Sequence, residues 1–248
     1  MKEIEKIRVL YSFINDYIWE MEEDVSFGTG YSFPEFDLYA RDYLEFAENQ
    51  IRLNTIESRI NCISNLKRAV DCQIDTFLFT LSLNRVIKKK NLSFKNKLEF
   101  IDAIGVCNSN SLIKLNTIRN RIEHEYKVLE VRELDLYFDL VSTFISNLES
   151  AITILAFGER NFYTNDSNGK VSRYFTLSLE RGNEPKIIAT WDHTPEKGIE
   201  VSFDEYKAFV FYLRCLYLLC IRNAFGSNKY VKDRIEELYN KLSVVSSA

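Results

Sequence analysis

The chain is 248 residues long, 46% hydrophobic and 27% charged, the balance of an ordinary globular protein with enough length for a full core. Eight glycines and three prolines argue against long loops and disorder and favour helices. A formal net charge of −4 speaks against a broad basic surface for nucleic acid, although a small local patch suffices for an enzyme acting on a short RNA segment.

The 14 tyrosines and 18 phenylalanines suggest many packed seams or a substantial oligomer interface. Five cysteines, Cys62, Cys72, Cys107, Cys215 and Cys220, are scattered, none in a C-x-x-C pair, and there are two histidines. No structural zinc site is expected, and the thiols are read as buried and reduced. Residues 1–6 alternate charge with apolar side chains and lack the apolar core of a signal peptide. The longest apolar stretch, Phe209 to Ile221, is interrupted by Arg214 and too short for a bilayer. The expectation is a cytoplasmic protein with no membrane contact.

From Lys2 to about Glu22, the three-and-four spacing of Ile4, Ile7, Leu10, Tyr11, Ile14 and Ile18 predicts an amphipathic helix. An aromatic loop with Gly28 and Gly30 follows; no strand precedes it and a third glycine is missing, so it reads as a turn and not a nucleotide loop. Phe36 to Ile87 is nearly free of Gly and Pro. It reads as one long helix, or as two broken near residues 49–55, with Ile60, Ile63, Leu66, Val70, Ile74, Phe77, Leu78 and Leu81 as the stripe of its second half. Lys88, Lys89 and Lys90 suit a helix C-terminus; a patch that guides RNA is the competing reading.

Ser93 to Ile104 predicts a short helix capped by Ser93 or Asn91 and ended by Gly105. Residues 108–111 supply a cap cluster for a helix reaching about Leu129. Val131 to Phe157 predicts a strong helix ended by Gly158. The period then changes to two: Arg173–Arg181, Lys186–Trp191 and Ile199–Ser202 read as strands, with Asn161–Thr164 as a further candidate. Two C-terminal helices follow, one apolar to about Asn223 and one polar to about Leu242. The expected fold class is mainly α, a helical bundle with a small antiparallel β-meander inserted before the C-terminal helices.

Chemistry concentrates in residues 119–126, Arg-Asn-Arg-Ile-Glu-His-Glu-Tyr. On a helix whose buried stripe is Leu115, Ile118, Ile122 and Leu129, Asn120 and His124 are four apart and share a face, so the amide can orient the imidazole. Arg119 and Glu123 are also four apart and can pair. Arg119 and His124 sit about 140° apart around the axis, so that spacing alone does not bring guanidinium and imidazole together. These residue types suit metal-independent RNA cleavage, in which the 2′-OH is an internal nucleophile. A histidine can move its proton, and an arginine can hold the phosphate oxygens as charge develops. A histidine between two glutamates is equally a solvent-facing or interhelix residue, and spacing does not separate the two readings.

Arg119-Asn120 followed by His124, Glu125 and Tyr126 resembles the signature of the HEPN family. It is similar to the Arg-x4-His-x-Tyr form in HEPN toxins paired with minimal nucleotidyltransferase antitoxins. Residues 65–71 look like the long first HEPN helix and residues 94–101 like the short helix before the motif, so the likeness covers about residues 60–155. The resemblance implies an antiparallel HEPN-like helical bundle that homodimerises through the motif helix. It implies Arg119, Asn120 and His124 as catalytic residues, Glu123 in support, and RNA as substrate, cleaved to a 2′,3′-cyclic phosphate and a 5′-hydroxyl without metal or cofactor. It also implies Tyr126 as a site of AMPylation by a nucleotidyltransferase antitoxin, against a plain core or interface tyrosine. A toxin or anti-phage effector is the expected role; a non-catalytic HEPN module that binds a nucleotidyltransferase or other effector is the alternative. A third reading makes the meander a platform that senses a small ligand.

The family pattern leaves residues 1–59 as an N-terminal helical extension, 60–158 as the HEPN-like core, and 159–248 as meander plus two helices packed on it. Lesser candidates read as structural. His193 lies at a strand end beside a turn, Arg222-Asn223 repeats two letters of the motif without a histidine, and Asp71 and Asp75 can pair with Arg68 or cap polar contacts.

Overall fold

A computed structural model describes residues 1–24, 31–107, 113, 117, 131–192 and 198–244, apart from the side chains of residues 131, 132 and 244. Eight helices are described: α1 (Glu3–Tyr17), α2 (Ala40–Leu53), α3 (Ile56–Thr80), α4 (Asn84–Lys90), α5 (Phe94–Ala103), α6 (Val131–Leu155), α7 (Tyr206–Ile221) and α8 (Asn228–Val244). Five strands join them: β1 (Glu22–Glu23), β2 (Glu159–Asn165), β3 (Val171–Glu180), β4 (Lys186–Trp191) and β5 (Ile199–Ser202). The expected class, helical with a small antiparallel sheet, is what the chain forms.

The long run from Phe36 divides at Asn54, which adopts φ +50, and Thr55, whose hydroxyl accepts from the Ser58 amide at 3.0 Å and caps α3. This two-residue link folds α2 back along α3. The run does not reach Ile87 as one helix. It stops at Thr80, because Ser82 takes φ +60 and the Leu83 amide turns back to the Leu78 carbonyl at 2.8 Å. Ser93 caps α5, accepting from the Asn96 amide at 3.3 Å. Gly158, at φ +66, ends α6 in the left-handed region that glycine enters without strain.

α3 and α6 pack together and run in the same direction. Arg181, just past β3, donates from Nε to the Thr80 carbonyl at 2.9 Å and from Nη2 to the Leu155 carbonyl at 2.6 Å. One guanidinium thus holds the last carbonyls of both helices. At their other ends Asp135 is close enough to act on the Cys62 thiol.

The sheet has strand order β1-β2-β3-β4-β5, antiparallel throughout. Alternation works as expected in β3, where Phe175, Leu177 and Leu179 are buried. On the helical side, α7 packs against β2 to β5. The edge strand β1 was not legible, since the helix read from Lys2 to Glu22 ends at Tyr17. The reason is tertiary: Glu22 and Glu23 pair with Tyr163 and Phe162, and the buried Arg222 side chain takes the Ile18 and Met21 carbonyls at 3.0 and 2.9 Å.

α1 lies on α7 and α8, with Tyr11 stacked on Tyr239 at 3.9 Å between ring centroids. Phe13 reaches the sheet, 4.6 Å from the Phe175 ring. The buried side chains of helices and sheet form one continuous cluster. By length and composition, residues 133–155 of α6 could cross a bilayer. In the fold, however, the Leu134, Val141, Ile145 and Leu148 seam is buried, and α6 packs against α2, α3 and α7.

Candidate functional site

Arg119, Asn120, Glu123, His124 and Tyr126 lie outside the described residues, as does His193. Two residues just before the motif are described. Ile113 and Thr117 are helical and exposed, and the Thr117 hydroxyl donates to the Ile113 carbonyl at 3.0 Å, the i to i−4 bond of a regular helical turn.

Among the described residues, α3 and α5 are joined by charge. Lys67 is 8% exposed; its ammonium pairs with Asp71 and lies 3.4 Å from the Phe94 ring centroid. A buried ammonium is tolerated because carboxylate and aromatic face replace its water. Asp75 pairs with Lys97 at 2.7 Å. The two aspartates therefore use Lys67 and Lys97, not Arg68; Asp71 holds Lys67 within α3, while the Asp75–Lys97 pair and the Lys67–Phe94 contact bind α5 to α3.

The lysine run divides in two. Lys90 pairs with Asp204 at 3.0 Å and lies 5.3 Å from the Phe203 ring, and that contact draws the Asp204 carboxyl below its ordinary range. Lys90 thus ties the end of α4 to the turn before α7. Lys88 and Lys89 are exposed.

All five thiols are free: Cys62 and Cys215 are buried, and the other three are partly so. Burial, with a smaller push from a nearby aspartate, raises Cys62 and Cys107 to about 12, so neither is a thiolate at neutral pH. Cys220 accepts from Arg160 Nε at 3.2 Å, yet burial still holds its thiol high. Among the described residues no three His, Cys, Asp or Glu side chains gather closely enough to hold a metal ion.

Three arginines have roles that pattern reading missed. Arg222, in the repeated Arg-Asn pair, sits at the end of α7 as read, but it is 4% exposed and clasps the chain after α1. Arg181 holds the α3 and α6 ends. Arg214 lies inside the apolar helix α7 and donates to the Ala103 carbonyl at 3.0 Å. Of these, only Arg214 leaves a sequence signal, a lone cation within an apolar run.

No family model matches this chain, no curated protein matches it, and no solved structure does.

Proposed function

We propose that this protein is a metal-independent endoribonuclease of HEPN type in which Arg119, Asn120 and His124 act on RNA, as a toxin or anti-phage effector. The observation that carries the reading is the Arg-Asn-x3-His strip immediately after an exposed helical turn. A helix of regular period continuing from Ile113 and Thr117 would carry Asn120 and His124 within about 60° of those two exposed side chains. Both would then face outward, available to substrate or to a second copy. The apolar Leu115, Ile118 and Ile122 would lie roughly opposite, about 100–180° away by the same period.

The chemistry follows from the residue types. His124 accepts the 2′-OH proton, and the 2′ oxygen attacks phosphorus. The P–O5′ bond breaks, leaving a 2′,3′-cyclic phosphate and a 5′-hydroxyl that takes up a proton. Arg119 neutralises the phosphoryl oxygens as charge accumulates, Asn120 orients the imidazole, and Glu123 steadies Arg119. Because Arg119 and His124 diverge by about 140°, a homodimer joined along this helix lets one copy's arginine serve the other's histidine. Tyr126 is about 160° from His124 on the same wheel. AMPylation there by a nucleotidyltransferase partner would silence the enzyme by disturbing packing behind the helix, without covering the imidazole.

The test is cleavage of varied RNAs in EDTA by wild type and His124→Ala, with the product ends identified. The expected outcome is cyclic-phosphate ends from wild type and a loss of at least about a hundredfold in the variant. Equal inactivity of both proteins in vitro and in cells refutes it. A second reading, a non-catalytic module that binds a nucleotidyltransferase or another effector, is favoured by the exposed aromatic strip of Tyr31, Phe33, Phe36 and Tyr39 with Phe46 on α2. It requires a co-purifying partner that survives His124→Ala and is lost on Phe33→Ser with Phe36→Ser.

A further inference from the structure

Between the end of α5 and the facing sides of α7 and α8 lies a cavity of about 420 Å³. Asp102, Ala103, Gly105 and Cys107 form one wall; Arg214, Tyr230, Arg234, Glu237, Leu238 and Lys241 form the other. The side chain of Arg214 is only 12% exposed. Of its N–H groups, Nη1 donates to the Ala103 carbonyl at 3.0 Å, whereas Nε is buried without a hydrogen-bond partner. The carboxylate of Glu237 is 3.8 Å from Arg214, beyond hydrogen-bonding distance. It is spent on Arg234, at 2.8 Å.

A guanidinium taken out of water without a matched carboxylate leaves an electrostatic deficit, and burial draws the Arg214 pKa down accordingly. Gly105, at φ +84, takes the left-handed turn that favours glycine at the opposite wall, where a Cβ would meet the Arg214 Cζ and Nη1 atoms only in ordinary contact at 3.6 Å. Lys241, from the last turns of α8, adds a second cation with no ion pair among the described residues. Three cations against two carboxylates, with one carboxylate shared, leave the cavity suited to an anion. A planar guanidinium fork and a point-like ammonium arriving from different helices match a tetrahedral, multiply charged acceptor better than a single carboxylate. The volume exceeds what one phosphate fills and falls within the range of small-ligand sites.

We propose that this cavity binds a phosphate group, free or borne by a small molecule, with Arg214 and Lys241 as its principal ligands and Arg234 at the rim. The site is independent of the proposed RNA chemistry and is read without RNA. The intact chain is titrated calorimetrically with orthophosphate, uridine monophosphate and uridine, and thermal unfolding is followed with each. Both phosphate-bearing probes are expected to bind, to compete with each other and to raise the melting temperature, while uridine does neither. Tighter binding of the monophosphate assigns the site to a nucleotide-like ester, and equal binding assigns it to free phosphate.

Lys241→Glu, on an exposed helix face, is expected to weaken both by at least about tenfold, Arg214→Lys by a similar factor, and Lys229→Glu outside the cavity not at all. Should Arg214→Lys fail to fold, Lys241→Glu decides alone. Absence of binding at about 10 mM, binding unchanged in Lys241→Glu, or uridine binding as tightly as its monophosphate overturns the proposal.

Discussion

Arg222 shows how much one side chain can carry. Its guanidinium is buried, stands 5.1 Å from the Phe162 ring and donates to two carbonyls of the segment after α1. Arg222→Met would leave the acceptors of Ile18 and Met21 unsatisfied, and a buried orphan acceptor costs about 1–3 kcal/mol. A loss of about 2–4 kcal/mol is expected by urea denaturation, with Arg222→Lys recovering only part because one ammonium cannot reproduce the fork. The thiols yield a pH prediction. In the unfolded chain they titrate near their ordinary 9.0, whereas in the fold Cys62 and Cys107 are held near 12. Above pH 9 the unfolded state therefore loses protons that the native state keeps, and stability falls as pH rises through that window by up to about 1.4 kcal/mol per unit for each thiol. Unfolding midpoints measured from pH 7 to 10 should decline, and Cys62→Ala should flatten the slope.

Among the elements, α3 and α6 depend on a residue that belongs to neither. Arg181 accepts the task of satisfying the carbonyls that every helix end leaves open, at Thr80 and Leu155 together. Arg181→Ala is expected to cost about 1–3 kcal/mol and to speed amide exchange in the last turns of both helices at once. Exchange confined to one helix, or unchanged in both, contradicts the shared clasp. Element type was legible wherever burial is one-sided: the stripe from Ile63 to Leu81 and the alternation in β3 both face the core as read, although Ile60, expected as the first member of that stripe, is exposed. Boundaries were less so. α1 stops five residues short of Glu22 because strand pairing and Arg222 claim the chain there, and neither partner is near in sequence.

On the scale of the whole molecule, the N-terminal residues complete structures built by the C-terminal ones. α1 packs on α7 and α8, Tyr212 donates to the Lys6 carbonyl at 2.9 Å, Lys6 pairs with Glu205 at 2.7 Å, and β1 forms the sheet edge. Deleting residues 1–24 exposes the apolar surface of α7 and uncovers β2, and an unpaired edge beside exposed core favours aggregation. The truncated chain is expected to be insoluble or to lose cooperative unfolding; a soluble product with a sharp transition would contradict this.

Local periodicity determined much of this protein by itself. Most of the helices, the strand alternation after Gly158, and the caps at Ser93 and Gly158 all follow from interactions within about four residues or from a period of two. The chemistry proposed for residues 119–126 rests on residue types at short spacing and on a family resemblance, and those residues lie outside the described ones. What only the tertiary structure decided involves partners far apart in sequence: β1 on β2, Arg222 on the chain after α1, Arg181 on two helix ends, Lys67 beneath Phe94, and the Arg214 cavity between α5, α7 and α8. Each depends on a buried polar group finding a distant acceptor, and periodicity carries no information about which acceptor that is.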